Sequence, residues 1–412
     1  MVAGIVGKLV TVSDNPTEVY QISILDSPVV NAFALPGGYL YISRGLLALA
    51  SDSAELAAVI AHEMGHVTAN HGVLLQKKEQ EAELAERIVS EAITDKDAGR
   101  RALARGRIEL AQFSRNQELE ADAIGIAAIG EVGYDPYAAA AFQEQMAAFT
   151  KYRNAAGNND QGFDFLSTHP STPQRINLAI GHARKFGPIG TGIRDRESYL
   201  SGIDGMLFGD NADEGYVRGQ RYSHANLGIT FEFPDGFSIE NKPEAVLGAR
   251  STDGAAVRFD GDDVAPNQNL TEYLTSGWVE GLDVSTVQSD TVNGLPAARA
   301  KAYAGRWDFD IVVIRANGAV YRILTALPSG SDDLDAVAAQ IRSSFRTLNA
   351  SETQNLKPLK VRIIRASERD TVAQMAARMP DVADAAALFK ALNGLRDGDT
   401  LVAGQRYKIV TQ

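Results

Sequence analysis

Two histidines four residues apart, with a glutamate beside the first, are the residues most able to do chemistry in this chain. They are His62, Glu63 and His66, in the run AVIAHEMGHVTANHG. On a helix, positions i and i+4 project from one face about one turn apart. Both imidazoles can therefore reach a single zinc ion. Glu63 can face the water that such a metal activates, acting first as general base and then as proton donor to a leaving amine. Gly65 leaves room where this helix meets other chain. The alternative is a chance HExxH on a core helix. With only 6 histidines in the chain, and apolar helical sequence on either side, the metal reading is preferred.

Catalytic zinc needs a third protein ligand and one further position for water. The segment SRNQELEADAIG supplies Glu118, Glu120 and Asp122. Glu118 and Asp122, four apart, share a helix face, whereas Glu120 is turned about 200° from Glu118. Glu118 is therefore the expected ligand, with Asp122 accepting a hydrogen bond from a ligand histidine. A solvated acidic stripe is the other reading of these residues. One zinc per chain is the expected cofactor. His71, nine positions after His62, would lie about 180° round a continuous helix. It is expected in a polar role at the helix end near Gly72, not as a ligand.

The positioning elements are also legible. Asp52 and Glu55 have capping-box spacing ahead of an apolar run that continues to about Asn70. A second helix is expected over 101–129, ending near Gly130 and Gly133. Extended runs at 29–34 and 38–43 flank a Leu-Pro-Gly-Gly turn. The stretch 30–34 is expected at a sheet edge beside the cleft, where an extended substrate adds by main-chain hydrogen bonds; an internal strand is the alternative. Thr172 and Pro173 read as an N-cap and a first helical position. The charged stretch 76–107 is either a solvated helical hairpin or a lid over the cleft.

HExxH followed by ExxxD resembles the gluzincin metallopeptidase family that includes the CaaX prenyl proteases, HtpX, and the BepA-type and OMA-type proteases. The upstream NAFALPGGYLYISRGLL (31–47) and the downstream STHPSTPQRI (167–176) are similar to the soluble BepA and OMA branch. The resemblance covers about 29–180. It implies zinc held by His62, His66 and Glu118, with Glu63 as the catalytic residue. It also implies that His169 stands near the zinc's open position, where it can hold the enzyme closed. Arg175 would orient that loop or stabilise an oxyanion; a surface ion pair is its bland alternative. The implied partners are polypeptides, misfolded envelope proteins among them, in a periplasmic or otherwise envelope or secreted setting. A latent or non-catalytic scaffold, binding unfolded protein or cell wall, is the competing function. The hydrophobic spans of the membrane-embedded members have no counterpart in this sequence, so their substrates are not implied.

Composition narrows the setting. A chain of 412 residues suggests two or three domains. Its 45% hydrophobic and 22% charged residues are ordinary for globular proteins. A net charge of -12 argues against nucleic acid or an anionic membrane as partner. Without cysteine the metal site must use histidine and carboxylate. No apolar run reaches the roughly 18 residues of a membrane span. The opening MVAGIVGKLV lacks a basic start and a cleavage site. It reads as part of an amphipathic helix, with a natural leader expected to be missing ahead of it.

The expected fold class is multidomain α+β. A mainly helical zincin-type peptidase domain with a small sheet occupies 1–187, and 188–222 is a connecting segment. An α+β domain with an antiparallel sheet follows at 223–348, with a faint resemblance to PsbP- and Mog-like domains. Strands are expected there at 229–233, 308–314 and 319–324, with a closing helix at 334–345. Trp278 and Trp307 are expected in its core. A polar linker spans 349–355. The last part, 356–412, has strand–helix–helix–strand order and a Leu392-Asn393-Gly394 signature. In both it resembles a LysM-type module, which implies contact with peptidoglycan or chitin glycans. Arg369-Asp370 stands where Gly-Asp is usual, which keeps a purely structural cap as the alternative.

Overall fold

The computed structural model describes residues 1–92, 96–155, 165–380 and 382–412. Helix α1 (Val2–Val10) turns Ile5, Val6 and Leu9 into the core, so the apolar opening is one face of a packed helix. Strands β1 (Gln21–Leu25), β2 (Ala32–Leu35) and β3 (Tyr39–Ser43) form a sheet of order β1-β3-β2, with β2 an outer strand antiparallel to β3. Ser43 caps α2 (Arg44–Leu49), and Asp52 caps α3 (Ser53–Thr68) by accepting from the Glu55 amide. The Glu55 carboxylate reaches back to the Ser51 amide instead of the cap's own. Helix α3 is buried on all sides from Ser53 to Gly65, as befits a helix apolar around most of its circumference.

Helices α4 (His71–Ala92) and α5 (Lys96–Glu131) pack together. Both are helical where a hairpin or lid was expected, but the stretch 93–95 and most side chains of 85–106 lie outside the described residues. Helices α6 (Ala138–Ala155), α7 (Phe165–Thr168) and α8 (Pro173–Ala183) complete this part, α8 with Thr172 as N-cap and Pro173 in its first turn. Two glycines set the α3–α5 crossing. A Cβ on Gly125 would sit 2.9 Å from the His62 amide nitrogen, and one on Gly65 would sit 3.3 Å from the Ala121 carbonyl oxygen. Only glycine permits so close an approach at Gly125, and it draws the acidic face of α5 up to the histidines of α3.

The segment 188–222 is more than the connector expected. It holds α9 (Arg196–Ile203), whose Tyr199, Leu200 and Ile203 are all buried, then β4 (Leu207–Phe208), β5 (Tyr216–Arg218) and β6 (Arg221–His224). Apolar residues are few there; those of α9 are buried, whereas Ile189 and Ile193 are exposed.

The next part contains β7 (Ile229–Glu232), β8 (Ser238–Lys242), β9 (Ala245–Arg250), β10 (Ala255–Asp262), α10 (Leu270–Leu274), β11 (Leu282–Val292), β12 (Leu295–Ala304), β13 (Trp307–Ala316), β14 (Ala319–Pro328), α11 (Leu334–Ser344) and β15 (Arg346–Thr347). Seven strands run antiparallel in the order β11-β12-β13-β14-β10-β9-β8, and a second sheet has the order β15-β7-β6-β5. Phe231, Phe259, Tyr321 and Phe345 pack between them and α11.

The expected linker at 349–355 is instead α12 (Ala350–Asn355), with a complete capping box between Asn349 and Glu352. The C-terminal part follows as β16 (Leu359–Arg365), α13 (Val372–Ala376), α14 (Ala385–Leu392) and β17 (Arg406–Thr411). Strand β16 pairs with β17 and with β4. This part shares one core with the helical half: Val361, Leu388, Phe389 and Val410 belong to the same buried cluster as Leu46 and Ile60. The buried Lys408 ammonium donates to the carbonyls of Ala48, Leu49 and Ala50 at 2.9, 2.6 and 2.7 Å. Gln145 on α6 donates to Leu49, Ala391 and Leu392. Asn393 brackets Lys408, donating to its carbonyl and accepting from its amide. The C-terminal part thus packs against the helical half by long-range burial, which a local reading of composition does not register. Among the described residues no helix is long and apolar enough to cross a membrane.

Candidate metal centre

Helix α3 contributes His62 and His66, α5 contributes Glu118, and the turn after α7 contributes His169. One ligand atom from each lies within 4.8 Å of all the others. The separations are short. His62 Nε2 is 3.0 Å from His66 Nε2 and 3.2 Å from His169 Nδ1. Glu118 Oε1 is 3.3 Å from His66 Nε2 and 2.9 Å from His169 Nδ1. Four donors about 2.0–2.1 Å from a tetrahedral zinc would be about 3.3–3.4 Å apart. Three imidazoles and a carboxylate at this spacing therefore fit zinc in size and in chemistry.

Each donor is held from behind. His62 donates from Nδ1 to Asp122 Oδ1 at 3.0 Å. Asp122 also accepts from Arg175 Nε and Nη2 at 2.8 and 2.7 Å. The third arm of Arg175, Nη1, lies 2.9 Å from Glu118 Oε2 and donates to the Pro170 carbonyl at 3.1 Å. Arg175 is buried and committed to the acidic face and the His169 loop. This is neither a surface ion pair nor a group turned to an oxyanion. Phe165, which the motifs did not flag, lies tilted against the His169 ring, centroids 4.5 Å apart, and donates its amide to the Val30 carbonyl. The loop is thereby tied to the chain entering β2.

Glu120 faces away from the cluster, as its helical rotation requires, and its side chain is 62% exposed. His71 stands at a helix end near Gly72, as expected, being the first residue of α4. It is buried, with Nδ1 2.9 Å from His66 Nδ1 and Nε2 3.3 Å from Glu120 Oε2.

The electrostatics follow the contacts. Burial alone would raise the pKa of Glu118, but hydrogen bonds from His169, His62 and His66 carry it far below the carboxylate range. Burial also opposes charge on His62, yet Asp122 and Glu118 raise its pKa to about 9 in the metal-free protein. His66 is lowered, chiefly by burial. Asp122 falls to about 2 against the upward push of burial, held by Arg175 and His62. Glu63 is buried, and its Oε1 has no hydrogen-bond partner among the described residues. That oxygen lies 3.6 Å from His169 Nε2.

The cap of α3 is anchored as well. Arg194 reaches Asp52, Glu55 and Asp135 at 2.6, 2.8 and 3.4 Å. Those contacts come from the segment once read as a connector.

Comparison with known proteins adds a family to this geometry. Residues 2–181 match Peptidase family M48. This stretch is therefore similar to an M48 peptidase domain. The chain is 29% identical over 188 residues to the mitochondrial metalloendopeptidase OMA1 of Arabidopsis thaliana, covering 46% of this chain and 36% of that one. The OMA1 of Schizosaccharomyces pombe is 32% identical over 183 residues, covering 42% and 50%. The beta-barrel assembly-enhancing protease of Escherichia coli K12 is 27% identical over 191 residues, covering 44% and 38%. The chain therefore spans half or less of the length of these relatives. The M48 match includes α3, α5 and the His169 loop, and zinc is the metal that this family and this donor set imply.

Proposed function

We propose that this protein is a zinc-dependent metalloendopeptidase of the BepA and OMA type, acting on misfolded or stalled polypeptides in a bacterial envelope. The observation that carries the reading is the convergence of His62, His66 and Glu118 around one point, with the buried, unpartnered Glu63 oxygen beside it. When bound, zinc would supply Lewis acidity to a scissile carbonyl and lower the pKa of the attacking water. Glu63 takes the proton from that water and returns it to the leaving amine. Asp122 and Arg175 keep His62 and Glu118 in register. The outer strand β2 offers a sheet edge to an extended substrate. The envelope setting rests on the name of the beta-barrel assembly-enhancing relative. Glycan contact through the C-terminal part rests on its LysM resemblance alone.

A second reading concerns the resting state. His169 Nδ1 stands at the fourth corner of the cluster, where water would have to bind. This favours a latent enzyme that opens when the 165–172 loop moves, and it brings the scaffold-like alternative closer.

The deciding experiment measures zinc content and casein turnover in wild type and Glu63→Gln. The variant keeps its zinc and loses about 10²–10⁴-fold in turnover, the usual scale for a general base. Proteolysis at the wild-type rate in the variant would sink the mechanism.

A further inference from the structure

His66 needs a partner that the HExxH motif does not supply. Its side chain is 18% exposed against 7% for His62, so packing restrains it less. Its Nε2 faces the cluster, so Nδ1 must carry the proton and donate it elsewhere. Among the described residues the group at that nitrogen is His71, at 2.9 Å. An acceptor Nδ1 on His71 leaves the proton on its Nε2, which points at Glu120 Oε2, 3.3 Å away. The three groups form a chain with one tautomeric solution: His66 donates to His71, and His71 donates to Glu120.

The chain's course makes this contact. On a continuous helix His71 would face about 140° away from His66. Asn70 interrupts the helix with φ 54, a left-handed conformation that asparagine tolerates. The turn brings His71, the first residue of α4, back beneath His66. Gln117 Nε2 fixes it there by donating to the His71 carbonyl at 3.0 Å.

We infer that His71 is a positioning residue for the metal: it fixes the tautomer and ring angle of His66, and Glu120 in turn fixes His71. The inference rests on the zinc reading above. It gives Glu120, rotated off the ligand face, a task one layer further out. Outer partners of metal-bound histidines typically change metal affinity 10–100-fold when removed.

The test uses the full chain. Zinc affinity is measured by competition with a chromophoric chelator, and geometry by the visible spectrum after cobalt substitution. His71→Phe keeps the ring volume and removes the acceptor; its zinc Kd is expected to rise about 10–100-fold, with a shifted cobalt spectrum. His71→Gln restores an acceptor of similar reach and should recover most of the affinity. Glu120→Ala, at an exposed position, should raise Kd several-fold with the metal-free melting temperature unchanged. Equal losses in the Phe and Gln variants would assign His71 to packing and overturn the inference. So would a Glu120→Ala protein with wild-type affinity, which decides the matter even if His71→Phe fails to fold. A wild-type protein that binds no zinc would defeat the zinc reading itself, an outcome separate from all of these.

Discussion

The ammonium of Lys408, on strand β17, lies 2.6 Å from the carbonyl oxygen of Leu49, at the end of helix α2 and three residues before the cap of the metal-binding helix. With the neighbouring bonds to Ala48 and Ala50, it links the C-terminal part to the peptidase core. Replacing it with methionine keeps the aliphatic stem and removes the donors. Lys408→Met is expected to destabilise the metal-free protein by about 2–4 kcal/mol, since buried carbonyls lose their partner. Denaturant titration reads this directly. Deletion of 356–412 should prevent the helical part that holds the metal centre from reaching its native state. A truncated protein that binds zinc and melts like the full chain would show that the shared core is dispensable.

The two glutamates of α5 should separate cleanly. Glu118 touches His62, His66 and His169, whereas Glu120 touches His71. Glu118→Ala is expected to weaken zinc binding beyond the roughly 10–100-fold range of outer partners, and Glu120→Ala only several-fold. Dialysis against graded chelator, followed by metal analysis, measures both. The reverse order would mean that the wrong carboxylate has been placed on the metal.

His62 predicts a pH dependence. Its pKa in the metal-free protein is raised from 6.5 to about 9, against the pull of burial, by Asp122 and Glu118. For a histidine raised on folding, the added stability is fully present below pH 6.5 and is lost as pH rises through about 9. The metal-free protein should therefore lose on the order of 3 kcal/mol across that window. Zinc affinity should climb across it, because zinc must displace the proton. Calorimetry in buffers of different ionisation heat should find proton release near one per zinc at neutral pH. No buffer dependence would show that His62 is already neutral.

His169 sits in a competitive position. If it closes the resting site in about 90% of molecules, His169→Ala should raise basal peptide turnover about tenfold. Loss of activity with zinc retained would instead make His169 a participant in the reaction. Unchanged kinetics would remove both roles.

Helical periodicity made much of the centre legible. His62 and His66 one turn apart, Glu118 and Asp122 on one face, and Glu120 turned off it all follow from a rotation of about 100° per residue. The same arithmetic failed at His71, because one left-handed residue, Asn70, resets the phase between α3 and α4. Three strands of the middle part, β7, β13 and β14, were found within a few residues, since alternation is a local signal; β8 to β12 were not. The contacts of Lys408 with Ala48 and of Arg194 with Asp52 were not foreseeable. Each joins positions far apart in sequence, and nothing in the neighbourhood of either residue marks its partner. The apolar content of 188–222 was likewise too sparse to signal a core helix, though Tyr199 and Leu200 are fully buried.

The Lys408 link also bears on the order of events during synthesis. Helix α3 and both its histidines leave the ribosome long before strand β17 does. Until Lys408 arrives, the carbonyls of Ala48, Leu49 and Ala50 lack its ammonium, although Gln145 can already donate to Leu49. A chain still being translated would therefore carry the HExxH segment without its finished foundation.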